Sequence, residues 1–178
     1  MTLLSICQNV ADFTGFERPT TVIDNTDPIA RQLLALAQRE GKQLMRVSDW
    51  AVLKKEHTFS TSSGTAAYAL PSDFDRLVLE TSYNRSDNDI MTGPISSSEY
   101  QLVNHGTASQ GTTEKFRLKA ASGALKFEID PTPSSTQTIG FEYVSTQFCQ
   151  SSGGSGQAAW AADTDVGILD ETTMEMGI

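Results

Sequence analysis

Residues 115–130 read KFRLKAASGALKFEID and decide the β part of the fold. Apolar and polar side chains alternate on both sides of Ser122-Gly123, which is the pattern of two antiparallel strands joined by a two-residue turn. A shift by one residue would expose the whole apolar set, so the pattern predicts the register as well as the hairpin. With this turn, the facing pairs are Lys115 with Asp130, Phe116 with Ile129, Arg117 with Glu128, Leu118 with Phe127, Lys119 with Lys126 and Ala120 with Leu125.

Further strand signals lie on both sides of the hairpin, in sequence rich in Ser and Thr. We expect a strand at 56–61 to turn at a Ser-Ser-Gly sequence and to pair with a strand at 68–70. The other predicted elements are a strand at 77–84, a short helix over 99–103, a polar loop at 104–113 and a strand through Ile139, Phe141 and Tyr143.

The first third of the chain has helical periodicity. Thr2 is predicted to cap a helix that ends at Thr14, before Gly15, and Asp27-Pro28 opens a second helix. Gly41 lies inside the second helix, where it costs about 1 kcal/mol relative to alanine, so we expect a close contact there. The predicted apolar faces consist of Leu3, Ile6, Cys7, Val10, Ala11 and Phe13 in the first helix and Ile29, Leu33, Leu36, Ala37, Leu44 and Val47 in the second.

The end of the chain is acidic and apolar. Residues 149–178 contain no Lys or Arg and five acidic residues. Residues 151–156 have the Gly and Ser content of a flexible linker, and Asp170 is predicted to cap a terminal helix. Because that helix has barely begun at Ile178, we expect that a further helical segment follows in the natural protein.

These elements predict an α+β fold: a small helical bundle with an antiparallel β-rich insertion and a C-terminal helical segment. The predicted boundaries are 1–55 for the helical portion, 56–148 for the β-rich portion, and 149–178 for the linker and the start of the C-terminal helical segment. We expect a single structural unit overall, since 178 residues suffice to bury a core.

Composition disfavours several classes of protein. Thirteen Lys and Arg stand against 22 Asp and Glu, giving a net charge of −9. Nucleic-acid affinity comes largely from Lys and Arg that neutralise phosphates, so phosphate clamping is not the predicted role. No apolar run is long enough for a transmembrane helix, and no signal peptide is visible. Two cysteines cannot form a disulfide framework, so we expect a reduced chain.

Residues that could support catalysis or bind a metal are few. Neither His57 nor His105 has a serine and an acid at a spacing that suggests a triad. Cys7 lies in an apolar stripe and is predicted to be buried rather than nucleophilic. The histidines and cysteines lack zinc-ligand spacing. Glu40, on the apolar face of the second helix, is either a catalytic carboxylate or a structural one paired with an Arg or with a helix N-terminus, and we favour the structural role. We therefore predict no enzymatic activity, no metal and no cofactor.

The order of residues resembles the head-to-tail connector adaptor proteins of tailed bacteriophages, especially short-tailed ones. The likeness covers most of the chain, and its motifs are structural rather than catalytic. It rests on Asp27-Pro28 through Glu40-Gly41, Asp49-Trp50, Leu53, Glu56, 58–61, Tyr68, 70–76, Gly93-Pro94-Ile95, the 115–130 hairpin, 162–165 and Leu169-Asp170-Glu171.

The resemblance implies a structural protein of the virion neck or tail, made in the host cytoplasm. Such adaptors form a dodecameric ring beneath the portal ring. A helical part docks on the portal protein, and a β-rich part presents a surface to the next tail component, a nozzle or tail-tube protein. Genome DNA passes through the lumen without specific binding, and no membrane is involved. The family's portal contact usually uses a helical C-terminal segment, from which this chain departs by stopping at Ile178.

Within this resemblance, two sets of residues receive roles. The candidates for contact with another subunit or with the portal are Trp160, Ile168, Leu169 and Met174. The residues expected at the junction between helices and sheet are Trp50, Phe59, Tyr68, Leu70, Pro71 and Phe74, for which core packing is the alternative.

Two other functions remain open from the sequence. One is a head-completion or tail-terminator protein of a long-tailed phage, which ring symmetry and the bound neighbour would distinguish. The other is a carbohydrate- or peptide-binding β module, which the Ser/Thr-rich strands suggest. That module would need exposed aromatic side chains on a concave face, and the chain has only 14 aromatic residues, many of them assigned to cores.

Overall fold

The computed structural model describes residues 1–105 and 113–178, and these residues divide into two units. Met1–Lys54 and Val144–Ile178 form the first, here called the helical unit. Lys55–Tyr143 form the second, here called the β unit, which is inserted in the chain between the two parts of the first. The predicted α+β class, with a β-rich insertion in a helical bundle, is confirmed. The polar loop expected at 104–113 lies mostly outside the described residues.

The residues that the structure describes form four α-helices, one 3₁₀ turn and eleven strands. In chain order they are α1 (Leu3–Thr14), α2 (Pro28–Val47), a 3₁₀ turn (Ala51–Leu53), β1 (Lys54–Ser60), β2 (Ala67–Ala69), β3 (Phe74–Leu77), β4 (Tyr83–Asn84), β5 (Asp89–Ile90), α3 (Ser97–His105), β6 (Lys115–Ala121), β7 (Ala124–Asp130), β8 (Thr138–Ser145), β9 (Cys149–Gln150), β10 (Gly156–Gln157), β11 (Val166–Gly167) and α4 (Glu171–Gly177).

Both long helices begin as the sequence predicts. The Thr2 hydroxyl accepts the Ser5 N–H at 3.3 Å, and α1 ends at Gly15 in the left-handed conformation, φ 74°. The Asp27 carboxylate accepts the first free N–H groups of α2, from Ile29 at 2.6 Å and Ala30 at 3.3 Å. These contacts satisfy N–H groups that have no partner within the helix, so they fix where each helix starts.

The apolar faces of α1 and α2 are narrower than predicted. Phe13 is 85% exposed and Val47 is 70% exposed, so their assignment to the buried stripes is wrong. At 100° per residue, Phe13 lies about 80° from Leu3 around the helix axis, at the edge of the stripe. Helices α1, α2 and α4 pack against one another, with Leu3, Ile6, Cys7, Ala37 and Met174 fully buried.

The close contact expected at Gly41 is present. A Cβ on Gly41 would overlap three ring carbons of Phe148, the farthest of them 2.9 Å away. The Phe148 ring is fully buried, and its centroid lies 5.8 Å from that of Trp160. Glycine therefore lets Phe148 pack directly on the backbone of α2.

The central hairpin has the predicted register. Every predicted pair is observed, from Lys115 opposite Asp130 to Ala120 opposite Leu125. Arg117 donates to Glu128 at 2.5 Å, and its guanidinium lies 3.2 Å from the centroid of the Tyr100 ring on α3. A cation–π contact therefore ties the helix to the polar face of the hairpin.

The strand at 67–69 does not pair with β1, so that prediction is wrong. β2 pairs with β7, placing Tyr68 opposite Phe127, whereas β1 lies beside β8 in a different sheet. The cause is a set of long-range bonds at the end of β1. The buried Thr61 donates its N–H to the carbonyl of Gln137 at 2.8 Å and its hydroxyl to that of Ser135 at 3.0 Å.

Two further predicted segments differ from the structure. The single strand expected at 77–84 is interrupted, because Glu80 adopts φ 63° and only Phe74–Leu77 and Tyr83–Asn84 are extended in ladders. Residues 151–156, expected as a linker, form the turn of the β9–β10 hairpin. In that turn Ser151 donates its N–H to the carbonyl of Ser155 at 2.8 Å.

The core of the β unit is a stack of aromatic rings. Phe127 lies between Phe116 and Phe141, with centroids 4.5 Å and 5.2 Å away and interplanar angles of 9° and 2°. The partly buried Phe59, Tyr68, Leu70 and Phe74 pack against this cluster. Because the stack joins rings from β6, β7 and β8, it holds two sheets of the unit together.

Candidate protein-binding surfaces

The two histidines lie in different surroundings. His57 lies against Phe59 and Phe141, with ring centroids 6.0 Å and 5.4 Å away. His105 is exposed at the end of α3. Within 1–105 and 113–178, no three His, Cys, Asp or Glu side chains converge as metal ligands would.

Both cysteines are buried thiols. Burial, reinforced by the negative charge of Asp163, raises the pKa of Cys7 to about 12. Burial, with the charge of Asp165, raises the pKa of Cys149 to about 12 as well. Since thiolates are the nucleophilic form, neither side chain is activated for chemistry at neutral pH.

The Asp163-Thr164-Asp165 sequence fastens three segments of the helical unit. The Asp163 carboxylate accepts the N–H groups of Val22 at 3.0 Å and Ile23 at 2.8 Å. The Asp165 carboxylate accepts two N–H groups of its own turn, from Ala161 at 2.7 Å and Ala162 at 2.8 Å. The carbonyls of Asp163 and Asp165 also receive N–H groups from the first turn of α1. Because both carboxylates are bonded to backbone N–H groups, the motif has a structural role.

A similar role falls to Asp73 in the β unit. Its carboxylate accepts the Tyr143 hydroxyl at 2.9 Å and pairs with the Lys55 ammonium at 2.8 Å. Burial, then the hydrogen bond and charge of Asp73, raise the pKa of Tyr143 to about 12. The phenol is held as a hydrogen-bond donor.

Three of the four predicted contact residues are buried inside the helical unit. Trp160 is 6% exposed, its indole N–H donates to the carbonyl of Ala37 at 3.4 Å, and its backbone N–H donates to the Gln38 side chain at 3.0 Å. Leu169 and Met174 are buried as well, and Ile168 is half-buried. These side chains hold residues 158–174 against α2 and the β9–β11 sheet. Their contact with another subunit stays a prediction.

The predicted junction residues divide between the two units. Trp50 belongs to the helical unit, where its indole N–H donates to the carbonyl of Leu44 at 2.8 Å. Pro71 belongs to the β unit, and its carbonyl accepts the Phe74 N–H at 3.1 Å. The other four, Phe59, Tyr68, Leu70 and Phe74, lie on the aromatic core of the β unit. Their role at a junction also stays a prediction.

Glu40 takes neither form of the predicted pairing. It is half-buried, and its carboxyl group lies against Gly177, close enough that a Cβ at that position would overlap it. No ion pair joins Glu40 to a residue that the structure describes.

An apolar groove lies between α1 and α4 on the surface of the helical unit. It has a volume of about 520 Å³, and its walls include Val10, Phe13, Met176 and Ile178. Phe13 is 85% and Met176 78% exposed, which is unusual for such large apolar side chains lying together. Sequence reasoning missed this groove because it assigned Phe13 to the core. The signal was the position of Phe13 at the edge of the α1 stripe.

The helices that the structure describes include none with the length and hydropathy of a membrane span. No curated protein gives a significant match to the sequence. A family model described as SU10 adaptor protein matches residues 1–170. Its members are structural proteins of the phage virion neck, associated with portal and tail proteins, and not enzymes. The match extends over nearly the whole chain and includes both units, so the chain belongs to the SU10 adaptor protein family.

Proposed function

We propose that the chain forms an adaptor ring of twelve copies that joins the portal to the tail of a short-tailed phage. The ring surrounds part of the passage through which the genome leaves the capsid. The observation that carries this proposal is the family match over residues 1–170, which includes the helical and the β unit. The function of the chain is therefore to bind other proteins rather than to catalyse a reaction.

The charge of the chain suits a passage for DNA. Thirteen basic against 22 acidic side chains leave a net charge of −9. Affinity for a phosphate backbone rises with the number of neutralising Lys and Arg contacts. A ring of net acidic subunits therefore lets DNA slide through without retaining it.

In this proposal each of the two units binds a different neighbouring protein. The helical unit docks on the portal, and the β unit presents its surface to the next tail component. Portal or neighbour contact is assigned to the segment that includes Trp160, Ile168, Leu169 and Met174. In this arrangement the buried side chains of the segment hold its backbone in place behind the contact.

The test is to mix the purified chain with portal rings from the same phage and to image the mixture by negative-stain electron microscopy. Portal rings alone and the chain alone are the controls. We expect an added ring of density at one end of the portal, and its class averages give the number of subunits and the orientation.

A head-completion or tail-terminator protein of a long-tailed phage is the competing assignment. A tail-terminator protein predicts no added density on portal rings and binding to the end of a tail tube instead. A carbohydrate- or peptide-binding module predicts neither of these complexes. Absence of density on intact portal rings, with a chain verified to have its complete C-terminus, would therefore overturn the adaptor proposal.

A further inference from the structure

One exposed face of α2 carries four basic side chains in a row, here called the basic stripe: Arg31, Arg39, Lys42 and Arg46. At 100° per residue they fall within an arc of about 80°, and at 1.5 Å per residue they extend over about 22 Å. Among the residues that the structure describes, none of the four has an ion-pair partner. The stripe is therefore a positive surface without an internal counter-charge.

The stripe also has an apolar border. Leu34 and Ala35 of α2, with Trp160, line a shallow depression of about 280 Å³ that starts beside Arg31. A surface evolved only to hold phosphates needs cations and hydrogen-bond donors, not an apolar depression. A mixed surface of this kind fits an acidic protein partner that also presents apolar side chains.

The helical unit itself supplies a surface with the complementary properties. The residues of α1 and α4 include no Lys or Arg. Their groove exposes Phe13 and Met176, and Asp12, Asp170 and Glu175 lie in or beside these helices. Within the same copy, Asp12 lies 3.6 Å from the Arg18 guanidinium and Glu175 accepts from the Asn9 amide at 2.7 Å, so the negative charge of this face is partly neutralised at Asp12. We call this surface the acidic apolar face. It offers negative charge and protruding apolar side chains, where the stripe offers positive charge and an apolar depression.

We propose that the basic stripe of one copy docks on the acidic apolar face of a second copy. The inference rests on the proposed function, because it identifies the contact between neighbouring subunits of that ring. Charges of opposite sign then meet along α2, and Phe13 and Met176 lose their exposure to water. Association of this kind weakens with salt, since the charges lie at the surface before binding.

The test uses a one-to-one mixture of unlabelled and ¹⁵N-labelled chain with portal rings, and the same mixture without them. A carbodiimide joins Lys42 to any carboxylate in contact, and mass spectrometry identifies linked peptides that carry both isotopes. We expect mixed-isotope links from Lys42 to Asp12, Asp170 or Glu175. Inter-copy links confined to other residues would overturn the inference.

Charge reversal provides the second measurement. The stripe variant carries Arg39→Glu and Lys42→Glu, and the face variant carries Asp12→Lys and Glu175→Lys. Each alone should lower inter-copy association about tenfold or more, because like charges now meet. A mixture of the two variants restores it, because each reversed surface then finds its opposite. The control is Lys54→Glu with Lys119→Glu, which makes the same charge change at exposed residues outside the stripe.

The outcomes separate this inference from the proposed function. A ring on the portal that the stripe variant forms as well as wild type does would overturn the inference and leave the adaptor function standing. Inter-copy links through Lys42 without portal binding would support the inference and contradict the adaptor function. Loss of binding to a DNA duplex in the stripe variant, with unchanged ring assembly, would assign the stripe to DNA. If wild-type copies never associate, the inference is wrong.

Discussion

Replacing Gly41 by alanine should destabilise the helical unit, although alanine is the better helix former. An alanine Cβ would overlap three ring carbons of Phe148, where carbon atoms normally keep about 3.5–4.0 Å apart. The ring has no exposed surface through which to move, and it also packs edge-on against the Trp160 ring. The substitution therefore forces either the ring or α2 to shift.

The magnitude follows from two opposing terms. Helix propensity favours alanine over glycine by about 1 kcal/mol. Overpacking in a close-packed core costs about 1–3 kcal/mol, and the overlap with several atoms of a fully buried ring places Gly41 in the upper part of that range. We expect the free energy of unfolding to fall by about 1–2 kcal/mol in total.

Urea denaturation, monitored by tryptophan fluorescence, measures this loss of stability in the helical unit. Both tryptophans, Trp50 and Trp160, belong to the helical unit, so their signal reports its unfolding. Gly153→Ala is the matched control, because the nearest atom to its added Cβ lies 3.8 Å away and its backbone needs no positive φ. The control should change stability by less than about 0.5 kcal/mol.

A double-mutant cycle with Phe148→Leu tests the cause. The smaller side chain makes room for the alanine methyl group, so the double variant should lose less stability than the sum of the two single losses, by about 0.5–3 kcal/mol. An increase in stability for Gly41→Ala, or simple additivity with Phe148→Leu, would show that the contact does not govern this position.

Three other predictions follow from buried groups of the helical unit. Trp160→Ala should lower the free energy of unfolding by about 3–5 kcal/mol, measured by circular dichroism, whereas a purely intersubunit role predicts an unchanged isolated chain. The raised thiol pKa values of Cys7 and Cys149 mean that the unfolded chain loses these protons first. Stability should therefore fall as pH rises from about 9 toward 12, less steeply when both residues are alanine. Asp163→Ala should cost about 1–3 kcal/mol in urea denaturation by leaving two N–H groups without acceptors, whereas the exposed Asp12→Ala should cost less than about 0.5 kcal/mol.

Most features predicted correctly depend on neighbours in the sequence. The caps at Thr2 and Asp27 bond to residues within three positions of them, and the hairpin register follows from one turn and an alternating pattern. Such interactions are encoded in short stretches of chain. They can therefore be predicted before any tertiary contact is known.

The wrong predictions concern segments whose pairing or packing depends on residues distant in the sequence. A hairpin between β1 and β2 agrees with the local signals, but Thr61 bonds to Ser135 and Gln137, more than 70 positions away, and this separates the two strands. No neighbouring stretch of sequence is an evident packing partner for the apolar residues after 158. Their pattern therefore favoured contact with another protein. Trp160 in fact packs against α2, about 120 positions earlier in the chain.

The candidate surfaces were less predictable than the core for a related reason. Periodicity identifies which face of a helix is apolar, but not how far a neighbouring helix covers it. The sequence periodicity at Phe13 is therefore the same whether α4 buries its side chain or leaves it exposed. The basic stripe, in contrast, could have been found from sequence alone, because Arg31, Arg39, Lys42 and Arg46 share one face at helical spacing.

The arrangement of charge on the helical unit bears on the kind of assembly it forms. The basic stripe and the acidic apolar face are different surfaces of one copy, so a contact in which one stripe meets one face without the reciprocal pair is heterologous. When one such pair forms, each of the two copies keeps one unused surface. Association then continues until a closing contact uses the last two surfaces, and a ring results when the rotation per subunit allows closure. A two-fold dimer through the stripe would instead bring like charges together, which electrostatics disfavours. For the contact proposed above, this distribution of charge is therefore compatible with a closed ring.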